Sequence, residues 1–165
     1  GGETVQYRHE KTFYNPTLLA AAVGSDIAEA DLETKLKAWN AFQFERVGLN
    51  LRPELIVLKD VGGDSDGFSK TAKKIAETSE FNLALMTEDA GVMKAGIEAS
   101  GFKRPLMYAA TEANIDEYGA LAKENNLEVL CWTVDEPEEA QRLTGIGVSG
   151  ITTNRPKWLK EEMQK

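Results

Sequence analysis

The chain has 165 residues, of which 42% are hydrophobic and 28% are charged, so it is long and apolar enough to bury a core. Acidic residues outnumber basic residues by 27 to 19, which gives a formal net charge of −8. Because nucleic acids and anionic membrane surfaces attract basic proteins, we expect neither of them as a partner.

The sequence contains one cysteine, Cys131, inside an apolar run. A single cysteine excludes an internal disulfide, a four-cysteine zinc site and a cysteine-ligated iron–sulfur cluster. No apolar stretch is long enough to cross a bilayer, and the chain opens with polar and basic residues instead of a signal-peptide core. We therefore predict a soluble protein of the reducing cytoplasm that carries no cofactor.

Short apolar runs alternate with segments of helical periodicity along the chain. A polar segment, residues 1–16, comes first, and its part from Glu3 to Pro16 is predicted to form a strand or a hairpin lid. The first predicted strand is Leu18 to Val23. A helix follows it, with an apolar face made of Leu32, Leu36, Trp39 and Val47.

Five further strand–helix units are predicted, with strands over residues 54–60, 81–86, 105–110, 129–134 and 150–153. The second helix begins near Asp64 and carries the stripe Phe68, Ala72, Ile75 and Ala76. Asp135 and Glu138 have the spacing of a capping box, and Gly145 is a helix stop. Asn154 is predicted to cap the last helix.

Strict alternation of strands and helices predicts an α/β protein with a parallel sheet, in one domain over residues 1–165. An eight-stranded barrel needs at least about 200 residues, so a complete barrel is disfavoured. A partial TIM barrel and an open, doubly wound sheet both fit about six units. Either arrangement exposes strand edges, which predicts self-association through those edges.

Residues 1–126 resemble the TIM-barrel domain of the corrinoid iron–sulfur protein large subunit of acetyl-CoA synthesis. The resemblance lies in residues 7–16, 44–48, 86–89, 92–96 and 104–112 and in Asn114. It implies that residues 17–126 form strand–helix units of that barrel. It also implies an iron–sulfur cluster held by four cysteines and a cobalamin-binding domain, and neither carries over to a chain of this length with one cysteine.

Residues 127–165 resemble a different family, the C-terminal strands of glycerophosphodiester phosphodiesterases, most clearly over 128–160. The resemblance lies in residues 129–134, in Glu138, Glu139, Ala140 and Leu143, and in residues 147–156. That family uses two histidines and several carboxylates at its site. This chain has one histidine, His9, and Ser149 and Asn154 stand where aspartates are common.

The two resemblances together predict a chimera with a junction near residues 125–128. Together with the Gly1-Gly2 start, they favour an engineered, de novo scaffold built from barrel fragments, without intrinsic catalytic activity. Two alternatives stay open. One is a corrinoid-protein barrel module that takes part in methyl transfer or partner docking. The other is a weak glycerophosphodiester- or phosphate-binding protein.

No catalytic residue is assigned, because one histidine cannot supply the acid–base pair that phosphodiester cleavage uses, and no Ser-His-Asp arrangement is evident. Whether the chain is an enzyme stays open, with a non-enzyme favoured. Acidic residues follow the predicted strands and could hold Mg²⁺ or Ca²⁺, or else cap the following helices. These acids are Asp60, Glu88, Asp89, Glu112 and Asp135.

The last predicted strand–helix turn is a candidate anion site. Backbone N–H groups at the start of a helix and an arginine both favour an anion. An N-cap with a solvated arginine is the alternative reading. The residues concerned are Thr152, Thr153, Asn154 and Arg155.

Overall fold

The computed structural model describes residues 3–7, 10–13, 18–46, 49–101 and 104–164. The chain forms two compact units, Gly1–Asn114 and Ile115–Lys165. The single domain over residues 1–165 stays a prediction.

The first unit contains two antiparallel hairpins. Strands β1 (Glu3–Tyr7) and β2 (Glu10–Phe13) form the first, which confirms the predicted hairpin, whereas its role as a lid stays a prediction. Strand β3 (Leu19–Gly24) and helix α1 (Glu29–Ala41) come next. Strands β4 (Phe44–Arg46) and β5 (Leu49–Leu51) form the second hairpin. The predicted helix is therefore too long: its apolar face ends before β4, and Val47 lies outside the described residues.

A parallel four-stranded sheet forms the centre of this unit. Its other strands are β6 (Pro53–Lys59), β7 (Asn82–Met86) and β8 (Leu106–Tyr108), and the order is β3-β6-β7-β8. Helices α2 (Ser65–Thr78) and α3 (Ala90–Ser100) connect neighbouring strands. The predicted α/β class and parallel sheet are confirmed. The strand order follows the chain order, as in the wall of a barrel, whereas a doubly wound sheet reverses it.

Helices α2 and α3 bury one face of the sheet. Strand residues alternate between faces, and the registered pairs Val23–Leu58 and Leu58–Leu85 lie on the helix-covered face. Leu58 and Leu85 are fully buried, as is Phe68 of α2. The unit's hydrophobic core therefore lies between the sheet and these two helices, where the predicted apolar stripe of α2 packs.

The opposite face of the sheet is also apolar, and although Ala84 at its centre is buried, several of its side chains are exposed; we call it the open face. On this face Leu106 of β8 is 57% exposed and Tyr108 is 40% exposed. Leu55 and Val57 of the central strand β6 are half-buried. Strand register places these residues side by side on the open face: Ala20, Ala22, Leu55, Val57, Ala84, Met86, Leu106 and Tyr108.

The second unit begins with helix α4 (Ile115–Glu124) and continues with β9 (Leu130–Cys131), α5 (Pro137–Gly145), β10 (Gly150–Ile151) and α6 (Pro156–Glu162). Strands β9 and β10 pair in parallel. Both strands are shorter than predicted, but all six predicted strand–helix units are present. The unit's buried side chains are Tyr118, Leu121, Ala122, Ala140 and Leu159.

Two predicted helix caps in this unit are wrong, although the predicted stop at Gly145 is confirmed. The N-cap of α5 is Glu136, not Asp135, and the N-cap of α6 is Arg155, not Asn154. In each case a proline, Pro137 or Pro156, is the first helical residue, a position that proline favours. The residue directly before that proline is therefore the cap.

Within the described ranges, no helix is both long and apolar enough to cross a membrane. The cytoplasmic location stays a prediction.

The close packing of α2 on α3 predicts the effect of an alanine substitution at Gly96. A methyl group at Gly96 would lie 2.5 Å from Cε1 of the fully buried Phe68. We expect Gly96→Ala to lower the free energy of unfolding by about 1–3 kcal/mol because the core is overpacked. Urea denaturation followed by circular dichroism measures this change.

Gly119 of α4 is the matched control, since no atom lies within 4 Å of a methyl group placed there. Gly119→Ala is expected to raise the free energy of unfolding by about 0.5–1 kcal/mol, because alanine favours a helix. Equal stabilisation by both substitutions would contradict the packing described for Gly96.

Candidate functional site at the carboxyl ends of the strands

Polar side chains connect the carboxyl ends of the four-stranded sheet. The Thr87 hydroxyl after β7 donates to Asp60 Oδ2 after β6 at 2.9 Å, and the Gly63 N–H donates to Asp60 Oδ1 at 3.1 Å. The Val61 N–H donates to the hydroxyl oxygen of Ser25, which follows β3, at 2.9 Å. Neighbouring strand ends are thus joined by side-chain hydrogen bonds.

Asn114 fixes the loops that follow β7 and β8. Its amide donates to the Glu88 carbonyl at 2.8 Å, and its side-chain oxygen accepts from the Thr111 N–H at 2.6 Å. Asn114 is 7% exposed, so these bonds satisfy a buried polar group. Asn114, Thr87 and Ser25 were not identified as site residues from the sequence. Only Asn114 had any signal, as part of a family resemblance.

The acids predicted to hold a metal ion have other bonding partners or are exposed. Asp89 is the N-cap of α3 and accepts from the Val92 N–H at 2.9 Å. The side chains of Glu88 and Glu112 are exposed. These three acids and Asp60 belong to the first unit, whereas Asp135 belongs to the second. In the part of the chain that the structure describes, no three His, Cys, Asp or Glu residues are grouped to hold a metal ion, and the metal site stays a prediction.

In the second unit, Asp135 accepts hydrogen bonds from Thr153 and Asn154, two of the residues that were predicted to bind an external anion. The Asn154 N–H, the Asn154 side-chain amide and the Thr153 hydroxyl each donate to its carboxylate at 2.8 Å. The hydrogen bond from the Asn154 N–H, followed by those from the Asn154 and Thr153 side chains, lowers the pKa of Asp135. The Asp135 carboxylate therefore joins the end of β9 to the β10–α6 turn, where it takes the place that was predicted for an external anion.

The other two residues of the predicted anion site have different surroundings. The Arg155 guanidinium donates to the Asp135 carbonyl at 3.1 Å and lies 4.1 Å from the ring centre of Trp158. The Thr152 N–H donates to the Cys131 carbonyl at 2.8 Å, which continues the pairing of β9 with β10. An external anion would compete with Asp135 for Thr153 and Asn154, and anion binding at this turn stays a prediction.

Two open cavities lie between α1 and α2, and the charges are balanced in the smaller one. One of about 400 Å³ is lined by residues that include Ser25, Leu32 and Lys74. The Lys74 ammonium lies 3.0 Å from Glu29 and 2.6 Å from Glu33 across this groove. The groove therefore presents ion pairs of the protein itself and no excess charge of one sign for a ligand.

Cys131 and His9, the single cysteine and the single histidine in the sequence, offer little to a cofactor. Cys131 is half-buried on β9, and one thiolate cannot hold a four-cysteine iron–sulfur cluster. His9 lies outside the described residues. This chain therefore does not fit an iron–sulfur cluster on its own.

The two roles considered for these acids, helix capping and metal binding, predict different results when the protein is titrated with Mg²⁺ or Ca²⁺. Because Asp60 and Asp89 already accept N–H or O–H donors, we expect calorimetric titration with Mg²⁺ or Ca²⁺ to give no saturable heat. In EDTA-containing buffer, Asp89→Ala should lower the free energy of unfolding by about 1 kcal/mol through loss of the cap. Glu88→Ala, one residue earlier, should change it by no more than about 0.5 kcal/mol. A saturable heat that Asp60→Asn abolishes would support the metal site instead.

The lowered pKa of Asp135 has a defined consequence for pH dependence. An aspartate in an unfolded chain titrates near pH 3.9, and this one should titrate lower in the folded protein. Its stabilising contribution is therefore present above about pH 4 and disappears as the pH falls through the lowered pKa. Nuclear magnetic resonance titration of the Asn154 amide measures the midpoint. A midpoint at or above the ordinary value would contradict the described hydrogen bonds.

Comparison with known proteins gives matches along most of the chain. Residues 1–149 match the family model described as CO dehydrogenase/acetyl-CoA synthase delta subunit. The chain is 36% identical over 126 residues to the corrinoid/iron-sulfur protein large subunit of Moorella thermoacetica, covering 76% of this chain and 28% of that protein. It is 32% identical over 155 residues to subunit gamma of the acetyl-CoA decarbonylase/synthase complex of Methanothermobacter thermautotrophicus, covering 92% of this chain and 34% of that protein. The chain thus spans about a third or less of these relatives.

These matches overturn the chimera, the junction near residues 125–128 and the engineered, de novo scaffold. The family match continues to residue 149, and the Methanothermobacter alignment covers 92% of the chain, so both pass through the supposed junction. The comparisons give no support to the phosphodiesterase resemblance. Strand–turn–helix units of different families share apolar strands and helix-start residues, which explains the misleading similarity. The chain belongs to the family of the CO dehydrogenase/acetyl-CoA synthase delta subunit.

Proposed function

We propose that the chain is an α/β module of a corrinoid/iron–sulfur protein within an acetyl-CoA decarbonylase/synthase complex, and that it acts by docking other polypeptide. Its relatives are named as subunits of such proteins and complexes, which supports a place for this chain in an assembly of that kind. The observation that carries the docking role is the open face of the sheet.

The two faces of the sheet differ in burial more than in composition. Leu58 and Leu85 on the helix-covered face have no exposed surface, whereas Leu106 on the open face is 57% exposed. Exposed apolar area costs about 25 cal/mol per Å² relative to burial, so a row of such side chains favours association. Contiguous apolar patches of this kind mark interaction surfaces.

The occupant that we propose is further chain of the corrinoid protein itself. Parallel sheets are normally covered on both faces, or closed so that their inner face is filled. The relatives are about three times as long as this chain, since it spans 28% and 34% of them, and they therefore hold polypeptide that could cover the face. Self-association through sheet edges, predicted from the sequence, is replaced in this proposal by contact with that polypeptide.

Catalysis does not enter the role that we propose for this chain. One cysteine cannot hold a four-cysteine iron–sulfur cluster, and no catalytic residue is assigned in this chain. The residues that we assign to docking are those of the open face, above all Leu106, Val57 and Leu55.

Co-expression tests the proposal. The chain is produced together with a tagged polypeptide that comprises the part of the Methanothermobacter thermautotrophicus subunit gamma outside its matching segment. We expect the two to co-purify. Leu106→Glu should weaken the affinity about tenfold or more, because a charge would be buried in an apolar contact.

Ile146→Glu is the matched control, since Ile146 is also apolar and exposed, at 66%, but lies in the second unit. This variant should bind as the unchanged chain does. Failure of the unchanged chain to co-purify would overturn the docking role. A concentration-dependent dimer of the chain alone would favour a second copy as the occupant.

A further inference from the structure

We infer that Lys59, at the carboxyl end of the open face, is the binding site for an acidic side chain of the polypeptide that docks there. This inference rests on the proposed docking function and adds the chemistry of the partner to it. It depends on a separate observation: an otherwise apolar face holds one positive charge, for which the described part of this chain provides no acid.

Strand register places Lys59 on the open face. Lys59 is the last residue of the central strand β6, and side chains alternate between the two faces along a strand. Leu58 is fully buried on the helix-covered face, so the Lys59 side chain lies on the open face, next to Val57. Its neighbours in the sheet are Gly24 of β3 and Met86 of β7, and both are uncharged. The Lys59 side chain is exposed in this chain.

Lys59 has no acidic partner in the part of the chain that the structure describes. The carboxylate of Asp26 lies against Gly24 in the same row, yet it forms no ion pair with Lys59. The chain has a net charge of −8, so a shortage of acid does not explain the unpaired lysine. The ion pairs among the described residues belong to other basic side chains: Lys70, Lys73, Lys74, Arg142 and Arg155.

Docking over the open face takes the Lys59 ammonium out of water. Burying a charge is costly unless an opposite charge pairs with it. The anion that a polypeptide supplies is the carboxylate of an aspartate or a glutamate, which accepts a short, charge-assisted hydrogen bond from an ammonium. The partner that fits therefore has apolar side chains over Leu55, Val57 and Leu106 and an acidic side chain opposite Lys59.

The ion pair also fixes the orientation of the docked polypeptide. Contacts between apolar side chains are non-directional, so the apolar part of the open face does not select one alignment by itself. A charge at one end of the face selects an alignment, because every other alignment leaves the lysine or the partner's carboxylate without its counterion. Lys59 therefore supplies specificity, whereas Leu106 and its neighbours supply affinity.

Substitution of Lys59 in the full chain tests the ion pair, with the tagged remainder of the Methanothermobacter thermautotrophicus subunit gamma as the partner. Lys59→Met keeps an unbranched apolar side chain but removes the charge, so the partner's carboxylate loses its counterion. The dissociation constant should rise about tenfold or more. Lys59→Glu should weaken binding further through repulsion, whereas Lys59→Arg keeps the positive charge and should retain binding.

A docked polypeptide without an acid opposite Lys59 predicts the reverse result. Lys59→Met would then bind equally well or more tightly, because no charge would have to leave water. That result would overturn the ion pair and leave the docking role, which Leu106→Glu tests, in place. Lys94→Glu is the matched control, since Lys94 is also exposed but lies on α3, and it should bind as the unchanged chain does. Circular dichroism of each variant confirms that it is folded.

Carbodiimide cross-linking of the complex identifies the partner residue. The reagent joins Nζ of a lysine to a carboxylate in contact with it as an amide, with loss of water, and mass spectrometry locates the link. We expect a link from Lys59 to an acid of the co-purified polypeptide. The Lys59→Arg complex should lack this link, because a guanidinium does not form the amide.

The outcomes separate this inference from the docking role. A link from Lys59 to Asp26 alone would overturn the inference, because the lysine would then be neutralised within this chain. A complex without any Lys59 link that also tolerates Lys59→Met would overturn it as well. Absence of any complex with the unchanged chain would overturn both the ion pair and the docking role.

Discussion

The structure of the first unit depends on one constraint: a parallel sheet presents two apolar faces, and helices α2 and α3 cover one of them. The period of two along each strand assigns Ile56, Leu58 and Leu85 to the covered face, where they are fully or almost fully buried. Gly96 allows α3 to approach the ring of Phe68, because a side chain there would collide with it. This core fixes β6 and β7 relative to each other, and the geometry of their carboxyl ends follows from it.

The strand ends show how a fixed register determines the chemistry of loop residues. The pairing of Lys59 with Met86 brings Asp60 next to Thr87, so the carboxylate accepts a hydroxyl and a turn N–H. Carboxylate lone pairs used in this way are less available to a cation. In the second unit, the parallel pairing of β9 with β10 places Asp135 opposite Thr153 and Asn154. In both units the pairing of neighbouring strands places an aspartate, Asp60 or Asp135, where its carboxylate accepts hydrogen bonds from a loop and stabilises it.

Local periodicity was sufficient to predict the six strand–helix units and the parallel sheet, because burial against one neighbouring layer determines both patterns. It failed where a contact is distant along the chain or where two local signals compete. The β4–β5 hairpin was missed because Trp39 and Val47 fit a helical stripe that ignores the pairing of Phe44 with Leu51. The predicted caps at Asp135 and Asn154 were wrong because they were chosen by side-chain type. Pro137 and Pro156 instead determine the first helical residue, so the residue before each proline is the cap. Thr87 and Ser25 were missed because their acceptor or donor comes from another strand.

The open face and the free edge of β3 have a common origin. A sheet of four strands that follow one another in chain order, with helices on one face, leaves the other face and its first edge uncovered unless more chain adds beside them. Polypeptide that binds only the folded form also stabilises it, by an amount set by its concentration and affinity. The exposed apolar area of Leu106 and its neighbours adds no stability to the isolated chain, because it is also exposed when the chain is unfolded. The same area stabilises the chain only when a partner buries it, so the docking contact and the stability of the assembled protein depend on the same side chains.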